Sequence, residues 1–350
     1  MVLTEENRTE RSLEGYHAVR EDGVGVIDLS SRGRIHVGGS EAIMFLNGLI
    51  TNDMKTLSEH HWMPAAFPNV QGRLIAAVRV IRLSDDTNGA KTSPRFLIDT
   101  EAATHDAVMK TIGRFTMAGD FRVADVTATT KMFSVQGRGA EAAVRALLGH
   151  SVELARDGVM EMRWHETDVT VIRASHTSED GFDIVVDSTQ GADMAAALAE
   201  AGGVGVSSNA AETLRIESGI GRFGLDMDET NVISETNLDD SVSFTKGCYI
   251  GQEIIARIKY RGHVAKKLTG LIFETDSQPS VGAVVKSTDG KEIGRITSTT
   301  LSPKLNHAIA LAYLRYEHLT PGTEAFVDSE LKARVAELPF VRGSWYESNT

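Results

Sequence analysis

The chain has 350 residues, 41% of them hydrophobic and 24% charged, and a formal net charge of −12. This length allows roughly two or three units with their own cores, and the acidic charge argues against direct nucleic-acid binding, for which surfaces are usually basic. No stretch approaches the roughly 20 apolar residues of a membrane span. The start of the chain also lacks the apolar core of a signal peptide, so a cytoplasmic protein without membrane contact is expected.

Taken in order, the chain alternates short strands and helices. Residues 1–22 read as a polar lead-in, and residues 25–29 and 34–37 as strands. Ser40 is placed to cap a helix over residues 41–49. This alternation, without a long parallel-type repeat, predicts an α+β fold. From residue 266 onward the pattern changes to short strands separated by turns, which predicts a small β-barrel.

The sequence Lys-Gly-Cys-Tyr-Ile-Gly-Gln-Glu at residues 246–253 contains Cys248, the chain's single cysteine. Flanking glycines allow a sharp turn there, and a helical pattern begins directly after them. A cysteine beside Lys246 and near a helix N-terminus favours the thiolate. Cys248 is therefore a candidate reactive or ligating thiol, with a buried inert cysteine as the alternative. One cysteine cannot hold an iron–sulfur cluster alone, because such clusters usually take four thiolates.

This octapeptide resembles the hallmark of the YgfZ-type folate-binding proteins, which are relatives of the glycine cleavage T-proteins (aminomethyltransferases). Further T-protein-like motifs occur at residues 45–53, 214–219 and 302–305. The resemblance implies a T-protein-like multidomain fold with mixed α/β folate-binding units around a central cavity. Residues 1–265 are expected to form this region, with a subdomain break near residues 130–190, and residues 266–350 the C-terminal β-barrel.

The resemblance also implies ligand contacts. Glu217 matches a T-protein glutamate that accepts hydrogen bonds from a pterin, a role that suits an acceptor-only carboxylate. Tyr249 is suited to stack on a flat ring, and Arg342 to meet the carboxylate of a folate tail. Asn69 and Gln252 are the remaining expected folate contacts. The octapeptide is completed by Lys246, Gly247, Gly251 and Glu253, and no metal site is expected.

The leading hypothesis is a folate-binding protein that supports the assembly or repair of iron–sulfur enzymes and, through one of them, tRNA modification. It would bind tetrahydrofolate or a one-carbon derivative in a central cavity, with Cys248 at the rim facing a cluster, a partner protein or an electrophile. Its partners would be folate and iron–sulfur assembly or client proteins. In its favour, Ala76 and Ala77 stand where T-proteins have aspartates, one of which is credited with catalysis.

Three alternatives stay open. The first is a tetrahydrofolate-dependent aminomethyltransferase or related one-carbon transferase, supported by the T-protein-like run at residues 226–230. The second is a scaffold that has lost folate, which predicts no pterin-sized slot beside Glu217. The third makes Cys248 a catalytic nucleophile, which needs a histidine base in space, and His263 is the nearest histidine in sequence.

Overall fold

A computed structural model describes residues 5–88, 91–117, 119–328 and 331–347. The helices are α1 (Glu5–Arg20), α2 (Ala42–Leu49), α3 (His105–Gly113), α4 (Ala140–Leu148), α5 (Gly191–Glu200), α6 (Ser208–Glu217) and α7 (Gln252–Arg261). The first eight strands are β1 (Gly25–Asp28), β2 (Gly33–Gly38), β3 (Trp62–Pro68), β4 (Leu74–Arg82), β5 (Asp86–Asn88), β6 (Lys91–Ser93), β7 (Arg95–Thr100) and β8 (Arg122–Asp125). The remaining strands are β9 (Thr130–Gln136), β10 (Val159–Trp164), β11 (Thr167–Arg173), β12 (Gly181–Asp187), β13 (Val204–Gly205), β14 (Lys266–Phe273), β15 (Val284–Ser287), β16 (Glu292–Ser302), β17 (His307–Arg315), β18 (Glu324–Val327) and β19 (Leu331–Ala336).

The first sheet is antiparallel, with strand order β3-β4-β7-β2-β8. Side chains alternate between the two faces along its strands, and one face carries the core on which α2 and α3 pack. Ala76 of β4 is fully buried in that core, whereas Ala77 points to the opposite face and is partly exposed.

The second sheet has the order β10-β11-β12-β9-β1-β13 and is covered by α4 and α5. Its strands pair antiparallel except β1 and β13, which pair in parallel. Ile81 and Leu97 of the first sheet pack with Met132 and Ile172 of the second in one buried apolar cluster. The two sheets therefore face each other, and charged groups between them have little access to water.

The third unit is a closed antiparallel barrel with strand order β14-β17-β16-β15-β18-β19. Alternate residues of β17 point inward and fill the barrel, and the small side chains of Ala308, Ala310 and Ala312 leave room for larger ones opposite. The outward residues Ile309 and Leu311 pack on Ile216 of α6. The predicted α+β fold with a small C-terminal β-barrel is confirmed.

Two local predictions are wrong. The expected polar lead-in contains helix α1, whose Tyr16 and Val19 are buried against Leu214 of α6. Few apolar residues mark this helix, so its period is weak in the sequence. Ser40 does not cap α2; its hydroxyl bonds Asp120 instead, and α2 begins without a side-chain cap. In the described part of the chain, none of the helices is long and apolar enough to cross a membrane.

Candidate functional site

The octapeptide loop is anchored at its first residue. Lys246 is buried, and its Nζ donates to the carbonyl oxygens of Asn47, Ile50 and Asn52 at 2.7, 2.9 and 2.6 Å. These three bonds use all the donors of an ammonium group and tie the loop to the end of α2 and the segment that follows it. Burial lowers the pKa of Lys246 to about 8, although Asp53 nearby acts in the opposite direction.

This anchoring corrects the expected role of Lys246. The ammonium group was expected to stabilise a thiolate at Cys248, but its donors are bound to backbone carbonyls, and it lies 5.0 Å from the ring centroid of Tyr249. Cys248 itself is exposed, so the alternative of a buried inert cysteine is wrong. Helix α7 does begin at Gln252, as predicted, but Cys248 precedes its N-cap Gly251 by three residues.

The second anchor of the loop is Gly251. It has φ +78°, and a Cβ at this position would lie 2.4 Å from the carbonyl oxygen of Asn69. Asn69 in turn holds its own turn closed, because its Oδ1 accepts hydrogen bonds from the backbone N–H groups of Gln71 and Arg73 at 2.9 and 3.0 Å. The backbone of Asn69 thus packs against the octapeptide loop at Gly251. Its side-chain oxygen accepts hydrogen bonds within its own turn.

The remaining octapeptide side chains divide into buried and exposed. Tyr249 is 8% exposed and packs with Ala66, Leu74 and Ile255, and burial raises its pKa to about 12. Gln252 Nε2 lies 3.4 Å from the carbonyl oxygen of Gly247, whereas Glu253 is exposed. Tyr249 is therefore a core residue, and the Lys246 ammonium group lies over its ring.

The surroundings of Glu217 do not support its expected contact with a pterin. Its carboxylate is fully buried, and Oε1 accepts hydrogen bonds from the hydroxyls of Tyr16, at 2.7 Å, and Ser302. Oε2 binds the Arg20 guanidinium at 2.7–2.8 Å. Both oxygens are thus occupied by the protein, and Glu217 joins helix α1 to the barrel. The sequence motif located the residue but not these partners, which are distant along the chain.

Arg342 and His263 make their described contacts with residues outside the octapeptide loop. Arg342 is exposed and lies 5.8 Å from the ring centroid of Tyr346. His263 stacks on Tyr316 with ring centroids 4.1 Å apart, and its Nδ1 lies 2.9 Å from the Val264 carbonyl oxygen. Throughout the described ranges, no histidine is hydrogen-bonded to Cys248, so a preformed cysteine–histidine pair is not seen.

A chain of charges that sequence reasoning missed lies between the two N-terminal sheets. Arg79 of β4 binds Asp99 at 2.8 Å and Asp183 at 2.6 Å, and Arg32 binds Asp99 at 2.7 Å. Asp183 is fully buried and also binds His176 Nε2 at 3.0 Å. A signal for this network was present in the sequence, because Arg79 interrupts the apolar run of β4.

The network ends at a half-buried imidazole. Burial alone raises the pKa of the Asp183 carboxyl, but the adjacent His176 and Arg79 outweigh it and hold that pKa well below its usual range. Asp183 is therefore an anion that orients the His176 ring. The side chain of His176 is 24% exposed, and its Nδ1 has no hydrogen-bond partner among the described residues. Such a pair has the chemistry of a general acid or base.

One of the two alanines that stand where T-proteins have aspartates lies on the same face of β4 as the charge network. Ala77 and Arg79 point to the same side of β4, because side chains alternate along a strand. Ala77 is thus the replaced position that faces the space between the units, and Ala76 belongs to the core. No three His, Cys, Asp or Glu side chains in the described ranges are arranged to hold a metal ion.

Comparisons with known proteins cover nearly the whole chain. The GCVT N-terminal domain family matches residues 4–246, and the glycine cleavage T-protein C-terminal barrel domain matches residues 266–342. The aminomethyltransferase of Nostoc sp. is 28% identical over 333 residues, covering 94% of this chain and 87% of its own length. The aminomethyltransferase of Thermotoga neapolitana is 29% identical over 342 residues, covering 93% of this chain and 88% of its own.

The fold comparison agrees. The crystal structure of the glycine cleavage system aminomethyltransferase T from Bartonella henselae matches with a TM-score of 0.84 at 23% identity. The match covers 95% of this chain and 90% of that one, and it concerns the fold. With both of its domains matched, the chain belongs to the glycine cleavage T-protein family.

Proposed function

We propose that the protein binds a reduced folate and transfers a one-carbon unit to or from it, as an aminomethyltransferase-type enzyme. The observation that supports this proposal is the match along both domains to relatives named aminomethyltransferase. Tetrahydrofolate or a one-carbon derivative would be the substrate. Residues 1–265 would form the folate-binding region and residues 266–350 the barrel domain.

The chemistry needs a group that moves protons, and Ala77 offers none. We assign this role to His176, held by Asp183, because its free nitrogen is on a half-buried ring. The buried carboxylates of Asp99, Asp183 and Glu217 are all engaged by protein donors. They do not fit the role of a free acceptor for the pterin, so no pterin contact is assigned to them.

The test measures transfer from an aminomethyl-loaded carrier to tetrahydrofolate, with parallel calorimetric titration of tetrahydrofolate. His176→Gln is expected to lower kcat by about 10²–10⁴-fold, the usual contribution of a general acid or base, with little change in tetrahydrofolate affinity. His105→Gln is the matched control, because His105 pairs with Asp125 at 2.9 Å in another part of the first unit. Wild-type protein that binds tetrahydrofolate without turnover would contradict the transferase proposal.

A second candidate is a YgfZ-type protein that binds folate and supports iron–sulfur enzymes. Its specific support is the exposed thiol of Cys248 on a loop fixed on both sides, by Lys246 and by Gly251. The thiol would face an iron–sulfur assembly or client protein, with tRNA modification as a downstream readout.

Cys248→Ser separates the two candidates. Under the second one, the substitution leaves tetrahydrofolate binding intact but abolishes the activity of iron–sulfur enzymes in cells that depend on this protein. Cells that keep full iron–sulfur enzyme activity with Cys248→Ser argue against a role for the thiol.

A further inference from the structure

A cavity of about 390 Å³ lies between the barrel and the loop that follows α6. One wall is the loop of residues 224–231, and the other is formed by the ends of β14, β16 and β17. Met227 and Ile293 give it an apolar floor. Its volume falls in the usual range of small-molecule sites. None of the residues discussed for the octapeptide loop or the charge network lines it.

Tyr313 places an unpartnered polar group in this cavity. The residue is 8% exposed, and its hydroxyl is buried without a hydrogen-bond partner in the described chain. Burial raises the pKa of Tyr313, and the nearby carboxylates of Glu235, Asp226 and Asp228 raise it further, so the hydroxyl is a neutral donor. A buried hydroxyl without a partner is costly, and an acceptor from a bound molecule would satisfy it.

Two cations line the cavity together with Tyr313. Lys266 and Arg315 are directly opposite each other in the β14–β17 pair, and Arg315 lies on the same strand face as Tyr313. Like charges in this arrangement destabilise a sheet. Arg315 forms no ion pair within the described ranges, and the Nζ of Lys266 lies 4.9 Å from the Tyr313 ring centroid.

The acids of the cavity do not neutralise these cations fully. Asp226 is bound by Arg215 and by the hydroxyls of Thr297 and Ser298. Glu292 pairs with Arg295 at 3.1 Å. Asp228 has no paired cation among the ion pairs of the described ranges, and its Oδ1 accepts hydrogen bonds from the backbone N–H and the hydroxyl of Thr230. Glu235, a further carboxylate near Tyr313, accepts a hydrogen bond from the Asn231 side chain at 3.0 Å. Within the described ranges, neither Lys266 nor Arg315 forms an ion pair with any of these acids, and such free cations suit an anionic ligand.

We propose that this cavity is a second ligand site, which binds a small organic carboxylate. Lys266 and Arg315 hold the carboxylate, the Tyr313 hydroxyl donates to one of its oxygens, and the apolar part of the ligand covers Met227 and Ile293. The cavity does not include His176 or Asp183, to which the proton transfer is assigned, and its occupation does not require folate.

The test uses ¹⁹F NMR of the full chain labelled with 3-fluorotyrosine, which gives six resonances for the six tyrosines. Tyr313→Phe identifies the Tyr313 signal. Sodium benzoate is expected to shift this signal saturably, whereas benzamide, its neutral isostere, and inorganic phosphate are not. No saturable shift with benzoate, an equal shift with benzamide, or a stronger effect of phosphate would each overturn the proposal.

Variants test the assigned contacts. Arg315→Gln is expected to weaken benzoate binding at least about tenfold, the loss of one charge-assisted contact. Arg334→Gln, an exposed barrel arginine paired with Glu274, is the matched control and should leave binding unchanged. Tyr313→Phe is expected to raise the Tm of the unliganded protein, because it removes the unpaired hydroxyl, and to weaken benzoate binding. Equal benzoate affinity in wild type and Arg315→Gln would contradict the assignment.

Discussion

Asp183 is an interior carboxylate held by Arg79 and His176, and this makes stability depend on its charge. It is fully buried between Arg79 and His176. Removing one partner of a buried ion pair leaves an uncompensated charge, which costs about 3–5 kcal/mol. Asp183→Asn is therefore expected to lower the free energy of unfolding at pH 7 by about this amount in urea titrations. Asp168→Asn, at an exposed carboxylate paired with Arg163, is the control and should have little effect.

The pH dependence of this difference has a definite sign. The pKa of Asp183 is held below its unfolded value of about 3.9. Its stabilising contribution is therefore fully present above about pH 4 and is lost as pH falls through the folded pKa. The difference between wild type and Asp183→Asn should shrink below about pH 4. A constant difference from pH 7 to pH 2 would show that the charge of Asp183 is not the cause.

The contacts of individual residues could be predicted from the sequence only in part. The motif around Glu217 was identified correctly, yet the carboxylate binds Arg20, which is 197 residues away, and Ser302, which is 85 residues away. Local spacing carries no information on such pairings. The exposed Cys248, in contrast, lies on the loop where its glycines predicted a turn.

At the scale of elements, the octapeptide loop offers a matched pair of glycines. Gly251 has a left-handed backbone and close contact with the Asn69 carbonyl oxygen, whereas a Cβ at Gly247 would meet nothing within 4 Å. Gly251→Ala is expected to cost about 2 kcal/mol, from the left-handed conformation and the clash. Gly247→Ala should be neutral or slightly stabilising.

Both glycine variants can be measured by chemical denaturation and by the rate at which Cys248 reacts with a thiol reagent. A loosened loop in Gly251→Ala should change that rate, and Gly247→Ala should leave it near the wild-type value. Equal stability of the two variants would mean that the loop is not held at Gly251.

The elements themselves were predicted to different degrees. The start of α7 and the barrel strands except β19 follow from patterns of glycines, turns and alternation. Helix α1 was not predicted, because its sequence has too few apolar residues to set a helical period and its stability depends on packing against α6. The pairing of β1 with β13 brings Gly25 opposite Val204, and no local sequence pattern predicts this pairing.

At the scale of the whole molecule, Glu217 fastens three parts together. It lies at the end of α6, binds Tyr16 and Arg20 of α1, and binds Ser302 of the barrel. Glu217→Gln is expected to lower the free energy of unfolding by about 3 kcal/mol, because the buried Arg20 loses one of its two carboxylate partners. Glu212→Gln, at a partly exposed ion pair of the same helix, should cost about 1 kcal/mol or less.

Denaturant titrations and limited proteolysis of α1 would measure this effect. Easier cleavage in Glu217→Gln than in Glu212→Gln is expected, and equal protection would contradict the fastening role. A loss of folate binding in a Glu217 variant therefore reports on assembly of the units, and it does not by itself identify a pterin ligand.

The contacts of Tyr16 bear on how the protein is made. Its hydroxyl donates to Glu217 and accepts from the backbone N–H of Lys304. During translation, domains generally fold from the N-terminus onward as the chain emerges from the ribosome. Tyr16 of helix α1 is synthesised well before its last partner Lys304, which follows it by nearly 290 residues. The apolar side chain of Val19 therefore lacks its partner Leu214 until α6 has been synthesised. The last contact of Tyr16 forms only with the barrel.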